Sequence, residues 1–231
     1  MLADAGLFRM ACDVPPYRLT GTVYGALLNH RSALDALGDA VNHPPYGAAP
    51  VAPVLYIKPR NTLALSGTAV RVPAGVPELE VGACLGLVIG RTACKVPVSE
   101  ALDYLAGYVL VADVSIPHSS FHRPSIRCKA RDGFCPLGPA VAARAAVGNP
   151  DALTLRVYRD DVLVQTASTA DLIRPAAQLL ADVTEFMTLA PGDVLALGAA
   201  APAPRVRSGQ TLRIEADGLG SLFTRFVDAD A

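Results

Sequence analysis

The sequence predicts a mixed α+β fold that is rich in strands and has only a few short helices. Most apolar runs, such as "VLYIKP" and "GYVLVADVS", are short and stop at turn residues, as strands do. The runs "LTLRVYRD" and "VLVQTAST" meet at Asp160 and Asp161, which suit the tight turn of a β-hairpin. One stretch, residues 176–186, has strong helical spacing, and its apolar stripe consists of Leu179, Leu180, Val183, Phe186 and Met187.

The same patterns assign the rest of the chain. We expect strands within residues 21–29, 54–59, 69–73, 83–89 and 107–115, helices within 30–41 and 98–105, and loops at 43–53 and 116–141. Strands with glycine turns end the chain. We therefore expect a loose N-terminal arm at residues 1–20 and a single domain at 21–231.

Charge and composition disfavour several functional classes. The 231 residues include 20 basic and 21 acidic side chains, so nothing favours a nucleic acid or an anionic membrane as partner. No apolar run approaches the roughly 20 residues of a membrane span, and none resembles a signal peptide, so we expect a cytoplasmic protein. Phosphate-binding glycine motifs and the G-x-S-x-G motif of serine hydrolases are missing from the sequence.

The first candidate site is the stretch "YIKPRNTL", which ends a predicted strand. Lys58, Asn61 and Thr62 lie where side chains leave a sheet and can meet a ligand. An ordinary polar turn at a strand end explains the same residues, and the sequence leaves both interpretations open.

The second candidate is Asp113, which lies inside the apolar run "VLVADV". A carboxylate there must be paired, hydrogen-bonded or bound to a cation, because burying it alone is costly. Asp113 is therefore either a ligand of a bound cation or a structural acceptor of hydrogen bonds.

The third candidate is the basic stretch at residues 121–139, which carries Arg123, Arg127, Lys129, Arg131 and Asp132. On a strand, Arg127, Lys129 and Arg131 would share one face because side chains alternate. Converging basic groups suit a substrate with several carboxylates. Solvated loop residues are the alternative.

Six segments in this order resemble the fumarylacetoacetate hydrolase family: "YIKPRNTL", "LGLVIGRTACKV", "YLAGYVLVADVS", "RPSIRCKARDGFCPLGP", "STADLI" and "LAPGDVLALG". The resemblance implies a β-roll and an active site in which three carboxylates hold Mg²⁺ or Mn²⁺. Two of these carboxylates form a Glu-x-Glu pair and the third is an Asp. Asp113 matches the third ligand, but Gly82 and Cys84 stand where the Glu pair is expected.

Further departures from the family predict a retained scaffold whose metal site is lost. Glu78 and Glu80 lie four residues away, roughly 13 Å along a strand, which is too far to replace the missing pair. A His/Glu pair that serves proton transfer in the family falls on Ala33 and Ala36, and its "GTP-x-G" turn appears as "GAAAP". The resemblance keeps Lys58, Asn61 and Lys129. We do not expect this chain to bind Mg²⁺ or Mn²⁺.

Within the family, "LLNHRSALDAL" and "KARDGFCPLG" are most similar to the N-terminal half of the bifunctional isomerase/decarboxylases of 4-hydroxyphenylacetate degradation. This resemblance implies a subunit of a 5-oxopent-3-ene-1,2,5-tricarboxylate decarboxylase and 2-hydroxyhepta-2,4-diene-1,7-dioate isomerase. The substrate would be a small anionic 2-oxo acid, and the partner a homologous catalytic subunit, a second copy, or both.

The candidate site residues carry that hypothesis and two others. They are Asp113 as the remaining metal ligand, Lys129 as a possible catalytic group, and Lys58, Asn61, Arg123, Lys129 and Asp132 for substrate binding. A self-sufficient enzyme would use Asp113 with Glu78 or Glu80, or Lys129 without a metal. A non-catalytic carboxylate-binding protein would use Arg123 and Lys129.

Overall fold

The computed structural model describes residues 7–8, 21–118 and 125–229. Its strands are β1 Leu7–Phe8, β2 Val23–Leu27, β3 Val54–Lys58, β4 Leu63–Leu65, β5 Ala69–Val72, β6 Leu79–Ile89, β7 Leu105–Ser115, β8 Cys135–Ala142, β9 Thr154–Arg159, β10 Val162–Ser168, β11 Val194–Ala196, β12 Arg205–Val206, β13 Thr211–Ala216 and β14 Gly220–Asp228. Its α-helices are α1 Arg31–Asp35, α2 Ile126–Lys129, α3 Arg144–Val147 and α4 Ala176–Phe186. The predicted β-rich class with a few short helices is confirmed.

The larger sheet positions the candidate site. Its main path runs β1-β8-β7-β6-β11-β2-β3, with β12 paired to β6 and β4 paired to β8. β6 and β7 are its long central strands, eleven residues each and antiparallel. Their register places Gly82 opposite Asp113 and Glu80 opposite Ser115. The side chains of β3, β6 and β7 therefore meet on one face.

The smaller sheet has the order β10-β9-β13-β14-β5. The predicted hairpin is confirmed, because β9 and β10 pair directly across Asp160 and Asp161. Both turn residues have positive φ, 50° and 62°, the left-handed conformation that two-residue hairpin turns require and that Asp tolerates.

One hydrophobic cluster joins the two sheets and α4. It includes Leu87 from β6, Leu110 from β7, Val157 from β9 and Ile214 from β13, all buried. α4 has the bounds that the sequence predicts. Leu179, Leu180 and Val183 of its predicted stripe pack into this cluster, but Phe186 at its end is exposed, so that part of the prediction is wrong. The apolar face of α4 therefore covers the core, as its spacing indicates.

Several element boundaries differ from the prediction. The helical pattern at residues 30–41 is broken into α1 and a separate 3₁₀ turn at Gly38–Asn42, where Gly38 has φ 52°. The helix predicted at 98–105 is a 3₁₀ helix, Val98–Tyr104. The loop predicted at 116–141 contains α2 and β8, whose two prolines hide the strand pattern.

The expected arm and single domain remain predictions. Within the segment expected to be loose, Leu7–Phe8 form a two-residue strand against β8. None of the described helices has both the length and the apolar content needed to cross a membrane.

Candidate functional site

A cleft with a volume of about 260 Å³ opens where β3, β6 and β7 meet the turn before β12. Asp113 of β7 lies on its floor and is buried. Its remaining lining residues are Ala26, Leu27, Leu28, Ala33, Tyr56, Glu80, Gly82, Ser115, His118, Lys129, Ala199, Ala200, Ala201, Pro202, Ala203 and Arg205. One wall is therefore apolar, and the floor and mouth are polar.

Three cationic or hydroxyl groups contact the Asp113 carboxylate. The Lys58 ammonium lies 2.8 Å from Oδ1, and the Lys129 ammonium lies 2.7 Å from Oδ2. The Tyr56 hydroxyl donates a hydrogen bond of 2.6 Å to Oδ2. Asp113 is thus paired and hydrogen-bonded, as a buried carboxylate must be.

Lys58 reaches this carboxylate from the end of β3, and its side chain is almost completely buried. Its ammonium also donates to the carbonyl oxygens of Val114, Lys129 and Phe134, at 2.5, 2.9 and 2.9 Å. An ammonium has three N–H bonds, so these three carbonyls take all of them. The contact with Asp113 is therefore an ion pair without a directed hydrogen bond, which agrees with Oδ1 having no hydrogen-bond donor among the described residues.

Lys129 is the last residue of α2, and its side chain is more than nine-tenths buried. It donates to Asp113 Oδ2, and its Nζ lies 4.5 Å from the centroid of the Tyr56 ring. The side chain lines the cleft. The expectation that Arg127, Lys129 and Arg131 share the face of a strand is wrong, because residues 126–129 form a helical turn that directs Lys129 alone into the site.

Tyr56 owes its position to Gly25, its partner in the β2–β3 ladder. A methyl group placed on Gly25 would lie 2.1 Å from the Tyr56 ring, so the ring crosses the glycine where no side chain interferes. Burial and the neighbouring Asp113 carboxylate raise the pKa of Tyr56 well above its ordinary value. Tyr56 is therefore a neutral phenol that donates to Asp113.

The charges on the floor stabilise one another. Burial opposes ionisation of Asp113, but Lys129 and Lys58 together outweigh it and hold the pKa of the carboxyl well below its usual range. Burial also lowers the pKa of Lys58, and the Asp113 carboxylate opposes that shift. Three carbonyl acceptors and a carboxylate around Lys58 keep it an ammonium, since each of them favours the charged donor.

Gly82 and Cys84 offer no ligand oxygen to the cleft. A methyl group on Gly82 would lie 2.7 Å from the Cβ of Ala199, so the "GAAAP" turn fills the space that a side chain would need. Cys84 is buried among apolar residues, including Val109 and Val111. Burial raises the pKa of the Cys84 thiol, which therefore stays protonated.

Glu78 and Glu80 are both paired with Arg205 of β12 near the mouth of the cleft. The Arg205 guanidinium donates to Glu78 at 2.7 Å and to Glu80 at 3.1 Å, and Arg207 lies 3.7 Å from Glu78. Across residues 7–8, 21–118 and 125–229, no three His, Cys, Asp or Glu side chains are grouped as a metal site.

The other predicted site residues lie elsewhere. Asn61 donates to Asp132 at 2.7 Å and to the Ala130 carbonyl oxygen at 3.1 Å on the surface, away from the residues that line the cleft. Arg123 lies outside the described residues. Ala33, which the resemblance matches to the first position of the family's His/Glu pair, lines the cleft.

Four lining residues are not among the site residues that the sequence predicts: Tyr56, Ser115, His118 and Arg205. Tyr56 and Ser115 lie two residues from Lys58 and Asp113, so strand alternation could have placed them on the same face. Arg205 is brought to the cleft by the pairing of β12 with β6, which no local pattern indicates.

Comparison with known proteins identifies the family. Residues 22–227 match the sequence profile described as "Fumarylacetoacetate (FAA) hydrolase C-terminal". The chain belongs to the fumarylacetoacetate hydrolase family. It is also 42% identical over 210 residues to the 4-hydroxyphenylacetate degradation bifunctional isomerase/decarboxylase of Escherichia coli, a match that covers 91% of this chain and 48% of that relative. This family member therefore spans about half the length of these bifunctional relatives.

Solved structures of the family support the same fold. The 2-hydroxyhepta-2,4-diene-1,7-dioate isomerase of Mycobacterium marinum is 26% identical, with a TM-score of 0.77 over 92% of this chain and 77% of that one. Maleylpyruvate hydrolase of Sphingobium sp. SYK-6, solved with manganese(II) and pyruvate, is 26% identical. Its TM-score is 0.74, over 90% of this chain and 70% of that one.

Proposed function

We propose that this chain is the metal-free subunit of an isomerase/decarboxylase that acts on small 2-oxo acids in 4-hydroxyphenylacetate catabolism. One observation carries this proposal: Lys58 and Lys129 contact the two oxygens of Asp113, the carboxylate that the resemblance matches to the family's third metal ligand. The catalytic metal would belong to a homologous partner chain.

The residues present do not fit Mg²⁺ or Mn²⁺. Both ions prefer several oxygen ligands at close range, and Gly82 and Cys84 supply none. The two ammonium groups already neutralise Asp113 and would repel a divalent cation placed beside it. Glu78 and Glu80 are engaged by Arg205, so releasing them would cost their own ion pairs. The proposed reaction therefore uses no metal bound to this chain.

The partner is proposed from the length of the relatives. The isomerase/decarboxylase of Escherichia coli is about twice as long as the matched segment, since the match covers 48% of it. A second chain of the same fold would supply the remaining half and the metal carboxylates. The reactions would be decarboxylation of 5-oxopent-3-ene-1,2,5-tricarboxylate and isomerisation of 2-hydroxyhepta-2,4-diene-1,7-dioate. A homodimer and a cytoplasmic location remain further parts of this proposal.

The test is an assay of the purified chain alone and with its partner. We expect no decarboxylation of the tricarboxylate by the isolated chain in Mg²⁺ or Mn²⁺. Affinity purification from the native host should recover a family member with an intact Glu-x-Glu pair, and that complex should be active. The Asp113→Asn variant should still bind the partner. Its complex should contain as much metal as the complex of the unchanged chain.

Two results would redirect the proposal. Turnover by the isolated chain at an ordinary enzymatic rate, abolished by Asp113→Asn, would identify a self-sufficient enzyme. Saturable ligand binding with no turnover and no family partner would identify a carboxylate-binding protein, a candidate that the position of Lys129 in the cleft also favours.

A further inference from the structure

The segment that leads into α1, within "LLNHRSALDAL", contacts the apolar wall of the cleft. This cleft wall is residues 199–203, all of which line the cleft. The Asn29 side-chain amide donates to the Leu197 carbonyl oxygen at 2.8 Å, two residues before the wall. The Ser32 hydroxyl oxygen accepts a hydrogen bond of 2.9 Å from the main-chain amide of Ala201, in the middle of the wall. The segment therefore fixes the position of the wall at two points.

His30 orients the Ser32 hydroxyl. His30 is buried, and its Nδ1 accepts a hydrogen bond from the Ser32 main-chain amide, with 3.3 Å between the two nitrogens. Nδ1 also lies 2.9 Å from the Ser32 hydroxyl oxygen. A main-chain N–H can only donate, so Nδ1 carries a lone pair and the proton of the neutral ring is on Nε2. The Ser32 hydroxyl then donates its proton to Nδ1 and keeps its oxygen lone pairs for the Ala201 amide.

A second proton on the His30 ring would disrupt these bonds, because it could bind only at Nδ1. The Ser32 amide would then face another donor, and α1 would lose its N-cap hydrogen bond. The Ser32 hydroxyl would have to rotate and find a new acceptor for its proton. The hydrogen bond from Ala201 depends on the orientation of this hydroxyl, so protonation of His30 weakens it.

The surroundings of His30 favour the neutral ring. Nε2 is buried and has no hydrogen-bond partner among the described residues. Burial lowers the pKa of His30, and the Asp171 carboxylate and the Ser168 main chain oppose this shift. The residues of β6, β9, β10 and the turn before the wall that surround the ring carry no charge: Ala83, Leu85, Leu155, Ala167, Ser168, Leu197 and Gly198. Charged groups on the adjoining segments are the exposed Arg31 and Asp35, and Arg174, which is paired with Asp182.

We propose that His30 is a positioning residue for the cleft wall, which the neutral ring holds through Ser32 and which protonation of the ring releases at Ala201. The release is local, because Asn29 still holds Leu197 and Gln165 of β10 still donates to the Pro202 carbonyl oxygen at 2.8 Å. The cleft is therefore better ordered at neutral pH than in mild acid. This inference concerns the wall alone, so it holds or fails independently of the proposed function.

The first experiment measures amide hydrogen exchange of the unmodified chain by NMR at pH 7 and pH 5, corrected for the intrinsic exchange rate. The protection of the Ala201 amide should fall several-fold at pH 5. An ordinary pKa of about 6.5 for the released His30 ring limits the fall to about 25-fold. The Val96 amide is the internal control, since it also donates to a hydroxyl oxygen, that of Thr184, and its protection should not change.

Two substitutions separate this role of His30 from simple packing. His30→Asn retains an acceptor near the position of Nδ1, and Asn is a good N-cap residue, so the protection of Ala201 should be equal at pH 5 and pH 7. His30→Ala has no acceptor and should leave Ala201 poorly protected at both values. His43→Asn, at an exposed histidine, is the matched control and should keep the pH dependence of the parent chain.

A further measurement needs no substitution. The ¹⁵N spectrum of the His30 ring should show its proton on Nε2 at pH 7. A proton on Nδ1, equal protection of Ala201 at both pH values in the parent chain, an equal fall at Val96, or a His30→Asn variant that keeps the pH dependence would each overturn the proposal.

Discussion

The Lys58 ammonium lies 2.8 Å from Oδ1 of Asp113, yet its three N–H bonds point to the carbonyl oxygens of Val114, Lys129 and Phe134. Lys58 therefore ties β3 to β7, to the end of α2 and to the residue before β8. The same side chain neutralises the buried carboxylate and fixes the backbone around it. The cleft floor is consequently a structural network as well as a charged surface.

Replacing Lys58 by methionine should destabilise the chain by about 3–5 kcal/mol, the usual cost of removing one partner from a buried ion pair. The change leaves three carbonyl oxygens without their donor. Urea denaturation followed by circular dichroism measures the free energy of unfolding. Lys95→Met, on the surface, should change it by no more than about 0.5 kcal/mol. A Lys58→Met variant as stable as this control would contradict the structural role.

Asp113 should make the stability of the chain fall in acid. Its pKa is held below the ordinary value of about 3.9 by Lys129 and Lys58 against the effect of burial, so the stabilisation is fully present above that value. It is lost as the pH falls below about 4 toward the pKa of the folded state. The free energy of unfolding should therefore decrease from pH 5 to pH 3 in urea titrations.

The matched variant isolates this effect from other carboxyl groups. Asp113→Asn should be less stable than the parent chain at pH 7, and the difference between them should narrow as the pH falls toward 3. Asp132→Asn, on the exposed surface, should reduce the free energy of unfolding at pH 7 by less than Asp113→Asn does. A constant difference between parent and Asp113→Asn would show that ionisation of Asp113 does not stabilise the fold.

Placing glutamates at positions 82 and 84, where the resemblance expects them, should not by itself create a metal site. In Gly82→Glu combined with Cys84→Glu, the side chain at position 82 would meet Ala199, and two lysines would still hold Asp113. We expect no Mn²⁺ binding by calorimetry and a loss of stability. The steric conflict with Ala199 can be tested separately. Gly82→Ala should lower the free energy of unfolding, and adding Ala199→Gly should restore much of the lost stability. Micromolar Mn²⁺ binding by the double-glutamate variant would refute this account.

Gly25 and Tyr56 should be energetically coupled. Gly25→Ala places a methyl group against the Tyr56 ring and should displace it from Asp113, which costs the hydrogen bond as well as the packing. In a Tyr56→Ala background, Gly25→Ala should lower the free energy of unfolding by at least about 1 kcal/mol less than it does in the parent chain. A double-mutant cycle by urea denaturation measures this difference. Additive losses of stability would mean that the ring does not depend on the glycine.

The sequence predicts those elements whose pattern is local. α4 has its predicted bounds because Leu179, Leu180 and Val183 of its apolar stripe pack on the core that the spacing implies, although Phe186 is exposed. The β9–β10 hairpin follows from two turn residues that tolerate positive φ. The sequence predicts a loop at β8 because prolines such as Pro136 and Pro139 are typical of turns. The strand is nevertheless paired on both sides, with β4 and β7.

The sequence by itself determined the fold class and the buried carboxylate that needs a partner, and through the resemblance it indicated Gly82 and Cys84 at the positions where a glutamate pair is expected. It also determined the family, through segments kept in order along the chain. These properties depend on residue identity and on spacing within single strands.

Only the tertiary structure decided which groups meet Asp113. Tyr56 and Lys58 come from β3 and Lys129 from α2, and their convergence depends on strand order and on a helical turn that places Lys129 in the cleft. Asn61 and Asp132 pair with each other instead, because the turn after β3 leads away from the cleft. Contacts between distant segments depend on how the elements pack, and local spacing does not contain that information.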